Sequence, residues 1–148
     1  MPDELLEAVR AAAELPLSRA ERSQRIADLV RTATGRRWVG VYEVTSAEVV
    51  NLAWSGPAPP SHPRFPAEHG LTGAAIRARE TVVSNDVAQD PRYLTALVST
   101  GSELIVPIIV GNRVVGTLDV EDERNDAFGD DDRRLFERIA GQIQPLYE

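Results

Sequence analysis

Apolar residues recur at helical spacing near both ends of the chain and at every second position in its middle. Leu5, Leu6, Val9, Ala12 and Ala13 share one helical stripe, so a helix is predicted over 3–15, stopped by Pro16. A second helix begins at Ser18, where Ser18 and Glu21 have the spacing of a capping box. It carries Ile26, Leu29 and Val30 inward and ends at Gly35. Residues 37–45 alternate as a strand, with Trp38, Gly40 and Tyr42 on one face and Val39 and Val41 on the other; 48–54 is its hairpin partner. Gly70–Arg79 reads as a short helix and Thr81–Ser84 as a short strand. The chain closes with a helix over Asp130–Tyr147, whose acidic start suits the positive end of the helix dipole.

The clearest signal lies between Leu104 and Val120. Two β-rich runs flank Gly111-Asn112, a pair that tolerates the positive φ of a type I′ turn. Two loops remain. Residues 56–66 contain five prolines, and Asn85–Gly101 has room for one helical turn. Loops of this length in a small domain are usually functional, and both are expected to form the mobile rim of a pocket. The order α-α-β-β-α-β-β-β-α implies an α+β fold with an antiparallel sheet and helices packed on it. One domain is expected over 1–148, with helices in 1–35 and a core with the closing helix in 36–148.

Charge narrows the chemistry. Sixteen basic against 23 acidic residues give a net charge of −7, the wrong sign for nucleic acid or an anionic membrane surface. No apolar run reaches the roughly 20 residues of a membrane span, and the acidic start is unlike a secretory signal, so a cytoplasmic location is expected. The chain has no cysteine, hence no thiolate nucleophile and no cysteine-based zinc site. No metal and no cofactor are expected. The acidic stretch 119–132 lacks calcium-loop spacing and reads as a solvated connection. His62 and His69 read as surface loop residues, because no nucleophile elbow accompanies them.

The motifs Trp38-Val-Gly-Val-Tyr42, Gly70-Leu-Thr-Gly73, Asn85-Asp-Val87, Ser102-Glu-Leu-Ile-Val-Pro107 and Val115-Gly-Thr-Leu-Asp119 follow the order and spacing of GAF domains. Over Trp38–Ile143 the chain most resembles the free methionine-(R)-sulfoxide reductases. The resemblance implies a PAS-related fold, with N- and C-terminal helices on one face of the sheet and a loop-covered pocket on the other. Those enzymes attack sulfur with a loop cysteine and resolve the product as a disulfide. Here Thr72, Ala96 and, approximately, His62 stand at the cysteine positions, and none can replace a thiol in that chemistry.

The resemblance also implies pocket residues: Glu103, Asp119 and Glu121, walled by Trp38, Tyr42 and Thr72. Asp119 lies in an apolar strand and must find partners or hold a proton. It either accepts N–H groups of a ligand amine or amide, or braces loop backbone. Trp38 either walls the pocket or sits in the helix–sheet core. Regular pairing about a two-residue turn turns Glu103 and Asp119 to opposite faces, so a shared pocket needs a one-residue bulge, for which Pro107 is the candidate.

The expected function is a small-molecule-binding sensory domain without catalysis, a homodimer that signals through a separate output protein. Two alternatives stay open: an interaction module with a vestigial pocket, and a cysteine-independent enzyme.

Overall fold

The computed structural model describes residues 2–94 and 97–148. Six antiparallel strands form one sheet: β1 (Trp38–Val44), β2 (Glu48–Ser55), β3 (Arg64–Pro66), β4 (Val82–Ser84), β5 (Ser102–Val110) and β6 (Arg113–Asp122), in the order β3-β2-β1-β6-β5-β4. The helices are α1 (Pro2–Ala13), α2 (Arg19–Thr34), α3 (Gly70–Ala78) and α4 (Asp130–Ile143); a 3₁₀ turn, Gln144–Tyr147, finishes what the sequence presented as one helix.

Sheet faces separate two kinds of interior. On one, Val39, Val41, Leu104, Val106, Ile108, Leu118 and Val120 meet α1, α2 and α4 through Leu6, Val9, Ile26, Val30, Phe136, Ile139 and Ile143. Burying a large aliphatic or aromatic side chain contributes roughly 1.5–3 kcal/mol, so this layer carries most of the stability. On the other, Trp38, Tyr42, Val49 and Leu97 form a smaller cluster near α3 and the loops, and Leu71, Ala75 and Ile105 form another. The α+β architecture expected from the element order is the one observed, with α1, α2 and α4 on one face and α3 and the loops on the other.

Local expectations are met with three differences. Ser18 caps α2 by accepting from Glu21 N at 3.1 Å, but the Glu21 carboxylate turns to the Ser18 hydroxyl and not to its backbone N–H, so only half of the reciprocal box forms. The hairpin turns at Gly111-Asn112, yet among them only Gly111 has positive φ, at 63°; that is the pattern of a type II′ turn and not of type I′. The proline-rich loop ends in strand β3, which pairs Phe65 with Val49. Proline flanks both sides of Arg64-Phe65 and hides the strand from a propensity argument; a proline survives here because β3 is an edge.

The fourth point concerns register. Glu103 pairs with Glu121, Ile105 with Asp119 and Pro107 with Thr117, whereas Ile109 pairs with Val114. The irregularity lies between Ile108 and Ile109, and the extra residue is Val115 on β6. A bulge therefore exists, nearer the turn than Pro107 and on the opposite strand. Pro107 sits in a regular stretch. It is tolerated because β4 pairs only with Glu103–Ile105, which leaves the outer edge of β5 unladdered beyond that point.

Candidate functional site

The bulge at Val115 sets the sidedness of everything beyond it. It turns Glu103 to the face of Asp119 and Glu121, because a one-residue shift in pairing exchanges faces. Pairing with β1 aligns Trp38 with Glu121, Gly40 with Asp119 and Tyr42 with Thr117. Three carboxylates from two adjacent strands thus meet beneath the loops. One oxygen of each lies within 4.8 Å of the others, and all three residues are buried.

Tyr42, His62, Phe65, Leu71, Thr72, Leu94, Glu103 and Asp119 line a cavity of about 10 Å³, room for roughly one water. Of the residues the sequence proposed, Tyr42, Thr72, Glu103 and Asp119 border it directly. Glu121 joins through the carboxylate cluster. Trp38 lies on this face and not in the helix–sheet core, fully buried, and its Nε1 donates to Ala58 O at 3.0 Å, pinning the proline-rich loop. Gly40 makes room for it: a Cβ there would meet the Trp38 ring at 2.4 Å. Thr72, which the resemblance sets at a cysteine position, is buried at the start of α3. His62 reaches the cavity from the exposed loop, and Ala96 lies outside the described residues.

Sequence reasoning missed Tyr93 and Thr100, both from the Asn85–Gly101 segment. The Thr100 hydroxyl donates to Glu121 Oε1, and the Tyr93 hydroxyl lies 3.2 Å from the same oxygen. Tyr93 OH is also 3.3 Å from Leu97 O, and its single proton serves one acceptor at a time. No spacing marks a loop hydroxyl as inward-facing. The nearest signal was the Tyr93 that follows Asp90-Pro91.

Burial dominates the electrostatics. It raises the Asp119 carboxyl to about 6, against a lowering contribution from its bond with Glu103. It raises Glu121 to about 8, assisted by the charge of Asp119. Glu103 is pushed well above the ordinary carboxylate range by burial and by both neighbours. The Tyr42 phenol is raised for the same reasons. Among the described residues no Arg, Lys or His enters the interactions that set these three carboxyls. Among the described residues Asp119 Oδ1 and Glu121 Oε2 are buried without a hydrogen-bond partner, although burying such groups unsatisfied costs about 1–3 kcal/mol each, and more when charged. The arrangement suits a partner that donates protons or carries positive charge. Among the described residues no loop N–H takes part in setting the Asp119 carboxyl.

A sheet packed by α1, α2 and α4 on one face, with a carboxylate-lined cavity under α3 and the loops on the other, is the α+β architecture of GAF domains. The chain belongs to the GAF domain family, whose model matches residues 16–145. It is 22% identical over 118 residues to the free methionine-R-sulfoxide reductase of Escherichia coli, a match covering 80% of this chain and 70% of that one. It is 27% identical over 103 residues to GAF domain-containing protein A of Dictyostelium discoideum, covering 69% of this chain and spanning 64% of that protein. Among solved structures it resembles the free methionine-R-sulfoxide reductase of Neisseria meningitidis in complex with its substrate, with TM-score 0.88 and 26% identity over 99% of this chain and 87% of that one. No helix among the described residues is long and apolar enough to cross a membrane.

Proposed function

We propose that this GAF domain is a sensory or regulatory module. It binds a small organic ligand whose amine or amide N–H groups are taken by Glu103, Asp119 and Glu121, and it performs no reductase chemistry. The supporting observation is the carboxylate cluster: three buried acids, two oxygens unpartnered among the described residues, and no arginine or lysine among the residues that line the cavity. Such a cluster weakens the fold, since like charges raise one another's free energy, so binding is the use that offsets its cost. Trp38, Tyr42 and Thr72 then serve as walls, and Thr72 replaces a thiol where the related enzymes need one.

The closed cavity has a consequence for ligand entry. About 10 Å³ does not hold an organic molecule, so the Asn85–Gly101 segment or the proline-rich loop must move. Tyr93 and Thr100 would release Glu121 as the segment lifts, which links occupancy to loop position. In this reading a homodimer and a separate output protein in the cytoplasm carry the signal onward. A vestigial pocket in an interaction module is the second reading, favoured by the same small volume. Mass spectrometry of small molecules released from the purified protein separates the two. A stoichiometric nitrogenous compound supports the sensor, and an empty protein that also binds none from a metabolite library supports the interaction module.

A further inference from the structure

The closed cavity is too small for an organic ligand, yet Glu103 and Asp119 border it, and Asp119 Oδ1 and the adjacent Glu121 Oε2 have no hydrogen-bond partner among the described residues. We propose that in this closed form Glu103, Asp119 and Glu121 hold one hard divalent cation of calcium's size, which competes with the organic ligand for the same carboxylates. The inference rests on reading the cluster as a binding site and adds a regulator to it.

Geometry is the first support. Each residue places one carboxylate oxygen within 4.8 Å of the other two. Oxygens bound to calcium sit at about 2.3–2.6 Å from the ion, so two on opposite sides are separated by about 5 Å and adjacent ones by less. All three side chains can therefore reach one ion without a change of strand register.

The second support is the state of the individual oxygens. Among the described residues Asp119 Oδ1 and Glu121 Oε2 have no hydrogen-bond partner, and both residues are more than nine-tenths buried. On Glu121 the hydroxyls of Thr100 and Tyr93 are drawn to Oε1. They orient the carboxylate and leave Oε2 as its open acceptor. Glu103 stands between the other two, paired across the ladder with Glu121, and interacts with both.

The chemistry of the donors selects the ion. The cluster offers carboxylate oxygens with hydroxyls behind them, and the one imidazole at the cavity, His62, belongs to an exposed loop residue. Zinc favours nitrogen and sulfur donors; an all-oxygen set suits a hard cation. Magnesium demands a near-ideal octahedron at about 2.0–2.1 Å, in which opposite oxygens are only about 4 Å apart. Calcium accepts irregular sets of about six to eight oxygens, with carboxylates binding through one or both oxygens, so the three side chains would contribute both oxygens where they can. Its charge also offsets two of the three carboxylates in a pocket where, among the described residues, no arginine takes part. No local motif marks such a site, because the ligands come from two strands and owe their common face to the bulge at Val115.

The test uses the full chain, stripped with a chelator and dialysed. Calcium chloride and magnesium chloride are titrated separately by calorimetry, with melting temperature followed in parallel. Terbium, a calcium surrogate, is titrated with its emission excited through tyrosine, since Tyr42 borders the cavity. Glu103→Gln and Asp119→Asn, each checked for wild-type circular dichroism, are run alongside. The expected result is one calcium per chain, a raised melting temperature, affinity for calcium at least about tenfold above magnesium, and a loss of about tenfold or more in each variant, since affinity follows ligand charge. Sensitised terbium emission should fall when calcium is added. No calcium binding at millimolar concentration, or binding that both variants retain, overturns the proposal. If calcium fails while Asp119→Asn still abolishes capture of an organic amine, the cation is rejected and the ligand-binding reading stands. If calcium binds as expected and no organic ligand is found, the reverse holds.

Discussion

Glu103 and Glu121 face each other directly across β5 and β6, on the same side of the sheet. Like charges in that relationship are destabilising, and Asp119 adds a third carboxyl. Neutralising one should therefore relieve the fold. In chelator-treated protein without ligand, Glu103→Gln is expected to raise the melting temperature above pH 7, by roughly 2–4 °C for each kcal/mol gained in a domain of this size. A lower melting temperature at every pH would show that the cluster is structural.

The same groups set a pH dependence. Burial raises Asp119 to about 6 and Glu121 to about 8, above ordinary carboxyl values near 4. The folded state therefore holds protons that the unfolded state has released. Their contribution is complete at about pH 4 and is lost as pH rises through 6 and then 8. Asp122 acts in the opposite sense. Burial raises it, but Arg124 and Arg36 outweigh burial and hold it at about 2, so its contribution is lost only in strong acid. Metal-free, ligand-free protein should thus be more stable at pH 5 than at pH 8.5. Denaturant midpoints across this range check it, and Glu121→Gln should flatten the alkaline slope.

Arg36, just before β1, ties that strand to the end of the neighbouring β6 and to the first turn of α4. Its guanidinium reaches Asp122 at 3.3 Å, Asp132 at 2.8 Å and Ala127 O at 3.0 Å, and its Cζ lies 4.5 Å from the centre of the Phe128 ring. Only a tenth of the side chain is exposed. Arg36→Ala is expected to cost about 1–3 kcal/mol, since it removes one of the two arginines that hold the buried Asp122 and leaves Ala127 O without this donor. Urea unfolding measures this, and a change below about 1 kcal/mol would mean that Arg124 alone suffices for Asp122.

Gly40 separates the rings of Trp38 and Tyr42, and an added Cβ would lie 2.4 Å from one and 2.9 Å from the other. Gly40→Ala is expected to destabilise by about 1–3 kcal/mol through overpacking and to change tryptophan fluorescence, while the helical face stays intact. An unchanged spectrum and midpoint would contradict the observed packing of this wall.

Much of this was legible in the chain. The strands of the hairpin announce themselves by alternation around Gly111-Asn112, and α2 by Ser18 and Gly35. The carboxylates could be named but not oriented. Their common face depends on Val115, an ordinary β-branched residue whose bulge carries no local signature, while Pro107, the conspicuous residue, proved to mark the open edge of β5. Strand β3 was masked by Pro63 and Pro66. Tyr93 and Thr100 turn inward for tertiary reasons, because a buried Glu121 attracts hydroxyl donors, and a loop sequence does not record which of its hydroxyls will be used.

Absence of cysteine separates the chain from its reductase relatives in a directly measurable way. Incubated with free methionine-(R)-sulfoxide and a thiol reductant, the protein is expected to show no turnover above buffer. A clear rate would establish a cysteine-independent enzyme.

The central claim is that Glu103, Asp119 and Glu121 recognise a small nitrogenous ligand. The most direct measurement is quantitative mass spectrometry of compounds released from wild-type protein and from Asp119→Asn, purified identically and both folded. One amine- or amide-bearing compound near one per chain in the wild type, and its loss from Asp119→Asn, is the expected result. Equal occupancy in the two proteins would contradict the claim, because the ligand would then bind without the carboxylate that lines the cavity.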